Sequence, residues 1–294
     1  MARDSTSSPS HPGTVAVLGA GTMGHGIAQV MAQAQHRVTL YDPDRTALTR
    51  ALEAIEGNLA KGVELGKVAP EERDETLARI HTFPNLDQGV EGATVVVEAI
   101  PERADLKKAL FRQVEPLIAS DTLLASNTSS LSIQELALIL DEPGRFLGLH
   151  FFNPVHIMKL VEIVHGPETD REAVDRALAL VEGMGKEPIV VKDSPGFASS
   201  RLGVALGLEA IRMVEEGVAS ARDIDRAMEL GYRHPMGPLR LTDLIGLDVR
   251  LEIAEYLHRS LGQDHFDPPE LLRRMVDEGK LGQKAGQGFY SWED

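Results

Sequence analysis

Glu162 stands between Val161 and Ile163 in the run KLVEIV, where a carboxylate is costly to bury unless something pairs with it. The preceding apolar run, RFLGLHFF, carries His150 near its end. If the two runs are neighbouring strands, the imidazole gains a carboxylate that fixes its orientation and stabilises its protonated form, an arrangement suited to general acid–base work. A histidine alone in such a run is more often a satisfied core residue, so the pairing with Glu162 carries the inference. Polar residues also interrupt apolar text at Ser126-Asn127-Thr128-Ser129-Ser130 and at Asn153, positions that a doubly wound sheet would place at its ligand-binding edge.

A second constellation precedes these. Gly19-Ala20-Gly21-Thr22-Met23-Gly24 follows the run TVAVL and opens a helical stretch. Gly19 suits a tight turn, Gly21 a close approach of the backbone to a pyrophosphate, and Gly24 close packing of helix on strand. Asp42 ends the next β-branched run, 23 positions beyond Gly19. That is near the spacing at which an acid meets the ribose 2′-hydroxyl of NAD and repels the extra phosphate of NADP. A glycine turn with Asp42 merely capping the next helix is the plainer alternative.

These residues need a scaffold, and the chain supplies one. Between 13 and 193 the runs TVAVLG, RVTLYD, TVVVEA, TLLASN, RFLGLHFF, KLVEIV and EPIVVKD alternate with periodic segments such as 105–117 and 170–184. Alternation of this kind predicts an α/β fold with a Rossmann-type doubly wound sheet. TVVVEA and EPIVVKD are near-continuous apolar runs and predict strands covered on both faces. After Ser194-Pro195-Gly196 the strands stop, and helices are expected over 197–216, 221–230, 239–261 and 269–278, giving a smaller all-α C-terminal domain over 194–294. Gly203, Ala205 and Gly207 lie within the first of these, fitting close helix packing either inside the domain or across a dimer.

Composition narrows the chemistry. With no Cys among 294 residues, disulfides, thiolate metal sites and a cysteine nucleophile are excluded. The histidines show no close ligand spacing, so no metal is expected. A formal net charge of −15 argues against nucleic acid as a partner. No apolar run approaches the roughly 20 residues of a membrane span. The polar opening stretch, 1–12, lacks a secretory apolar segment and reads as a disordered tail. A cytoplasmic protein is expected.

SNTSSL, GLHFFNPV and MKLVEIV, spaced as they are after GAGTMG and VVVEAIPE, resemble the 3-hydroxyacyl-CoA dehydrogenases, and the likeness continues through DSPGF, HPMGPLRLTDLIGLD and KAGQGFY. The resemblance implies NAD as cofactor and a short-chain (S)-3-hydroxyacyl-CoA as the substrate oxidised, with the reverse reduction. It implies His150 as catalytic base and Glu162 as its carboxylate partner, with Ser129 and Asn153 holding the reacting oxygen and the nicotinamide end of the cofactor. Gly19, Gly21, Thr22, Met23, Gly24, Asp42, Ala99, Glu102, Lys107 and Lys284 are implied on the cofactor side, and a homodimer through the helical domain is implied as well. Where the family pattern GFxxNR has asparagine, this chain has Ser200, a shorter substrate contact without an amide. For the anionic phosphates of coenzyme A, Lys61 and Lys67 are plausible contacts, solvated lysines being an equal reading. The residues alone leave open a dehydrogenase of free hydroxy or sugar acids, and a non-catalytic NAD-binding protein.

Overall fold

The β-branched runs become strands and the periodic stretches become helices in the computed structural model, which describes residues 13–292. The tail expected at 1–12 lies outside the described residues. The chain divides into two units, Met1–Asp193 and Ser194–Asp294.

The first unit runs β1 (Thr14–Leu18), α1 (Thr22–Gln33), β2 (Arg37–Tyr41), α2 (Arg45–Glu64), α3 (Pro70–Ala78), β3 (Ile80–Phe83), α4 (Leu86–Val90), β4 (Ala93–Glu98), α5 (Ala104–Val114), β5 (Leu123–Ser126), α6 (Ile133–Ala137), β6 (Phe146–Phe151), β7 (Leu160–His165), α7 (Arg171–Gly183) and β8 (Glu187–Lys192). One sheet forms in the order β3-β2-β1-β4-β5-β6-β7-β8. Strand order reverses between β1 and β4, so their C-terminal ends open the crevice where such sheets bind ligands. The β1, β4 and β5 strands are buried along most of their length, with Val15, Val17, Val97, Leu123 and Ala125 in a single core. Each larger aliphatic side chain enclosed there contributes roughly 1.5–3 kcal/mol.

Two expectations need correction in this unit. The strand β3 was not expected, because IHTF is short and polar at two of its four positions. It forms because it pairs in parallel with β2, which offers an open edge. EPIVVKD is not covered on both faces: β8 is the sheet's last strand, and Ile189 and Val190 are 38% and 47% exposed. An apolar run records β propensity as well as burial, and here the first outweighs the second.

The second unit contains α8 (Ser199–Glu215), α9 (Ala221–Gly231), α10 (Pro238–Ile245), α11 (Leu247–Leu261) and α12 (Glu270–Asp277) around Leu208, Ile211, Leu239, Leu257 and Phe266. The single helix expected over 239–261 is two, broken at Gly246. That residue has φ +105, and a side chain there would press on Asp248 Oδ1 at 2.9 Å. The glycines of α8 pack within this unit. A Cβ on Gly207 would stand 3.4 Å from the Arg250 guanidinium carbon and 3.3 Å from Thr242 Oγ1.

The C-terminal motifs are held by two buried carboxylates. Asp225 accepts from the backbone N–H groups of Leu239 and Arg240 at the start of α10, and from the Tyr290 hydroxyl at 2.7 Å. Asp243 accepts from Phe289 N, Tyr290 N and Trp292 Nε1, each at 2.9 Å. Much of what is distinctive in HPMGPLRLTDLIGLD and KAGQGFY is therefore architectural.

Candidate active site

Strand register gathers the chemistry-bearing residues on one edge of the sheet. Leu18 pairs with Glu98, Glu98 with Ser126, and Ser126 with Gly148, all in parallel strands. Gly19, Ala99, Asn127 and His150 therefore all lie beyond the same level, toward the C-terminal ends. Main-chain bonds lace these ends together: Ala99 N–H donates to Leu18 O at 2.7 Å and Asn127 N–H to Glu98 O at 2.8 Å.

The glycine loop has the geometry its composition anticipates. Gly19 has φ +106, and a side chain there would stand 2.7 Å from Ala99 O. A Cβ on Gly24 would overlap the Gly19 carbonyl, whereas Gly21 has open space beside it. That space, at the start of α1, suits a pyrophosphate. Thr22 and Met23 occupy the helix's first turn, which has no side-chain cap and no acidic residue to compete for its N–H groups. Asp42 reaches back to this loop, its Oδ2 accepting from Ala20 N at 2.9 Å and its Oδ1 from Asp44 N at 2.9 Å. It does not cap α2. Asp44 does, accepting from Thr46 N at 2.8 Å. Each Asp42 oxygen keeps a further lone pair for a sugar hydroxyl.

Beta6 and β7 run antiparallel, and His150 faces Glu162 directly in that register. The imidazole Nδ1–H donates to Glu162 Oε2 at 2.6 Å, with the histidine 6% exposed and the carboxylate fully buried. Phe152 lies against the ring at a centroid distance of 4.4 Å. Asn153 follows on the exposed side of the strand end.

Residues 14–194 match the model of the 3-hydroxyacyl-CoA dehydrogenase NAD binding domain, and residues 196–292 match that of its C-terminal domain. The chain belongs to the 3-hydroxyacyl-CoA dehydrogenase family. It is 44% identical to a probable 3-hydroxybutyryl-CoA dehydrogenase of Bacillus subtilis over 95% of this chain and 97% of that one. It is 41% identical to a 3-hydroxybutyryl-CoA dehydrogenase of Mycobacterium tuberculosis over 95% and 98% of the two chains. The solved (S)-3-hydroxybutyryl-CoA dehydrogenase of Ralstonia eutropha superposes with a TM-score of 0.92 at 38% identity, covering 96% of this chain and 99% of that one. This chain is thus an NAD-dependent oxidoreductase.

For a 3-hydroxyacyl-CoA dehydrogenase, the polar support around the site is as informative as the site itself. Glu102 Oε1 accepts from Thr128 Oγ1 at 2.6 Å, Ser129 N at 2.9 Å and Ser130 N at 3.1 Å, and Ser129 Oγ lies 3.3 Å away. Burial pushes this carboxyl up, but the Lys107 charge and those donors outweigh it and hold it below the usual range. Lys107 is 1% exposed, its ammonium donating to Glu98 Oε1 at 2.5 Å and Ile100 O at 3.2 Å, with Glu102 Oε2 at 3.4 Å. So enclosed, it acts on the site by placing Glu102. Burial pushes the Glu98 carboxyl up, against the pull of Lys107 and Ser126 Oγ.

Several positioning residues carried no strong sequence signal. Asn127 Oδ1 accepts from Phe151 N at 2.9 Å and so ties the end of β5 to the end of β6. Thr128, fully buried, and Ser126 act on the Glu102 and Glu98 carboxylates. A polar run at a strand end was the available clue, but pairing partners 24 to 28 residues distant could not be read from it.

Lys61 and Lys67 line one cavity of about 410 Å³ together with Gln29, Asn58 and His156. Lys61 is also paired with Glu64 at 2.9 Å on the exposed surface. Burial, then the charges of His25 and Lys186, hold the His156 imidazole below its ordinary range. In the helical unit, Ser200 lies in the first turn of α8, half-buried. Lys284 is paired with Asp248 at 2.6 Å. No cluster of three or more His, Asp or Glu able to hold a metal occurs among the described residues, and no helix there is long and apolar enough to cross a membrane.

Proposed function

We propose that the chain oxidises short-chain (S)-3-hydroxyacyl-CoA, 3-hydroxybutyryl-CoA foremost, to the 3-ketoacyl-CoA, and reduces it in reverse, with His150 as acid–base. The observation carrying this is the 2.6 Å His150–Glu162 pair at the sheet edge that also bears the glycine loop. The names of the relatives support the substrate class.

Bound NAD supplies the hydride acceptor. His150 Nε2 takes the proton of the 3-hydroxyl as C–H cleavage proceeds, and Glu162 stabilises the imidazolium that results. In the other direction the same nitrogen returns the proton to the ketone oxygen. Ser129 and Asn153 orient the reacting oxygen and the nicotinamide end of the cofactor. Asp42 reads the adenine ribose, while Lys61 and Lys67 suit the coenzyme A phosphates. Ser200 contacts the acyl thioester, and Lys284 serves the cofactor side.

The domains are 13–193 for the cofactor and 194–294 for substrate and dimer contacts. Leu241, Leu244 and Ile245 on α10 are each about two-fifths exposed, which suits a homodimer through the helical unit. A reducing cytoplasm fits a chain without cysteine.

The test is steady-state turnover, followed by NADH absorbance, on acetoacetyl-CoA against free 3-hydroxy and sugar acids. Turnover of the thioester is expected. Activity confined to the free acids would overturn the reading.

A further inference from the structure

Lys186 is a buried cation that neither the glycine loop nor the His150–Glu162 pair involves. It follows α7, immediately precedes β8, and is 8% exposed. Its ammonium lies against the connection between β6 and β7, where Nζ donates to Val155 O at 2.6 Å and to Met158 O at 2.7 Å. Burial holds this group below the ordinary lysine range, so the position carries a cost that its bonds must offset. Charge-assisted bonds of this kind are about twice as strong as neutral ones.

The connection it holds has little else to fix it. Across 152–159, Val155 alone is buried, at 2%. Pro154 O accepts from Ile157 N and Met158 N at 3.0 Å each, which closes a single turn, and Lys186 draws together two carbonyls of that turn. One residue further on, Glu187 N–H donates to Lys159 O at 2.9 Å. On its other side the turn rests on α1. A Cβ on Gly26 would stand 2.8 Å from Val155 Cβ, so the helix that begins at the glycine loop meets Val155 with no side chain between them. Asn153 comes just ahead of this turn, exposed and three positions beyond His150. Its place is therefore set by a loop with two anchors, one apolar through Val155 and one charged through Lys186.

We infer that Lys186 is a positioning residue for the hydride transfer: by binding the carbonyls of Val155 and Met158 it sets where Asn153 stands relative to His150. The inference rests on the acyl-CoA reading and on Asn153 orienting the reacting groups. No bond is made or broken at Nζ, which acts only through the loop. A misplacement of about 1 Å can cost a reaction about 10²-fold in rate, so a loop loosened at one anchor is felt in the chemistry before it is felt in binding. Methionine at 186 would fill the same space without donors and release both carbonyls, while Val155 stays packed on α1.

The test is a double-mutant cycle on the rate of NADH formation in single turnovers of (S)-3-hydroxybutyryl-CoA, combining Lys186→Met with Asn153→Ala. Lys186→Met alone should lower that rate by about tenfold, with the thioester concentration for half-maximal rate little altered. Lys186→Arg, which keeps charged donors, should recover part of the loss. In the Asn153→Ala background the same Lys186→Met change should cost less than about twofold, because the group it places is already gone. Fully additive losses overturn the inference, as does a lowered melting temperature with an unchanged rate, or a Lys186→Arg enzyme no faster than Lys186→Met. If Lys186→Met does not fold, Lys186→Gln, a neutral donor, enters the same cycle and is judged by the same additivity. An Asn153→Ala enzyme with the wild-type rate removes the residue through which Lys186 acts and sinks the inference while leaving the acyl-CoA reading intact. Absence of wild-type turnover on 3-hydroxybutyryl-CoA and on acetoacetyl-CoA would instead sink that reading, and the inference with it.

Discussion

His150 Nδ1 and Glu162 Oε2 stand 2.6 Å apart on residues that face each other across the antiparallel β6–β7 pair. That antiparallel step, in a sheet whose other pairings are parallel, brings residues twelve apart in sequence into hydrogen-bond contact. His150→Gln should lower kcat by about 10²- to 10⁴-fold, the usual range for general acid–base catalysis, with NAD affinity little altered. Glu162→Gln keeps a hydrogen-bonding group but removes the charge that stabilises imidazolium, so a smaller loss in kcat is expected. Wild-type turnover in either variant would refute the assignment.

Asp42 already orders the glycine loop through Ala20 N, so its substitution affects cofactor choice and loop stability together. Asp42→Ser should narrow the preference for NAD over NADP by about tenfold through loss of a like charge near the 2′-phosphate. Comparing kcat/KM for the two cofactors separates this from loop loosening, which would weaken both equally.

Glu102 supplies a pH dependence whose sign can be stated. Its carboxyl is held below the ordinary range, so the unfolded chain binds the proton more readily than the folded one. Its contribution to stability is full above the unfolded value, about 4.3, and is lost as pH falls through the folded value. Urea midpoints measured from about pH 6 downward should therefore fall more steeply in wild type than in Glu102→Gln. Parallel curves would contradict the assignment.

Asp243 is enclosed by three donors, and Asp243→Asn turns an amide N–H toward at least one of them. A loss of about 3 kcal/mol is expected, combining weakened bonds with an unsatisfied buried group. Trp292, the chain's one tryptophan, donates to this carboxylate and makes unfolding of the helical unit directly visible by fluorescence. Unfolding midpoints equal to wild type would show the carboxylate to be dispensable.

The sequence by itself determined the alternation of strand and helix, the glycine loop with an acid at the end of the next strand, and the suspicion that Glu162 needed His150. Those features are local or periodic: φ demanded of Gly19, a two-residue side-chain alternation, a carboxylate among aliphatics. It also carried the family likeness, part of which proves to record Asp225 and Asp243 tying the C-terminal segment to α9 and α10. Tertiary structure decided what depends on distant partners. It enclosed Lys107 between Glu98 and Glu102, and it set Asn127 beneath Phe151. It broke 239–261 at Gly246, whose φ of +105 a residue with a side chain rarely adopts. It also buried Arg250 against Gly207 with no ion-pair partner among the described residues. Period and propensity describe one segment at a time, whereas burial and charge compensation belong to the packed whole, and only packing shows which polar groups have been matched.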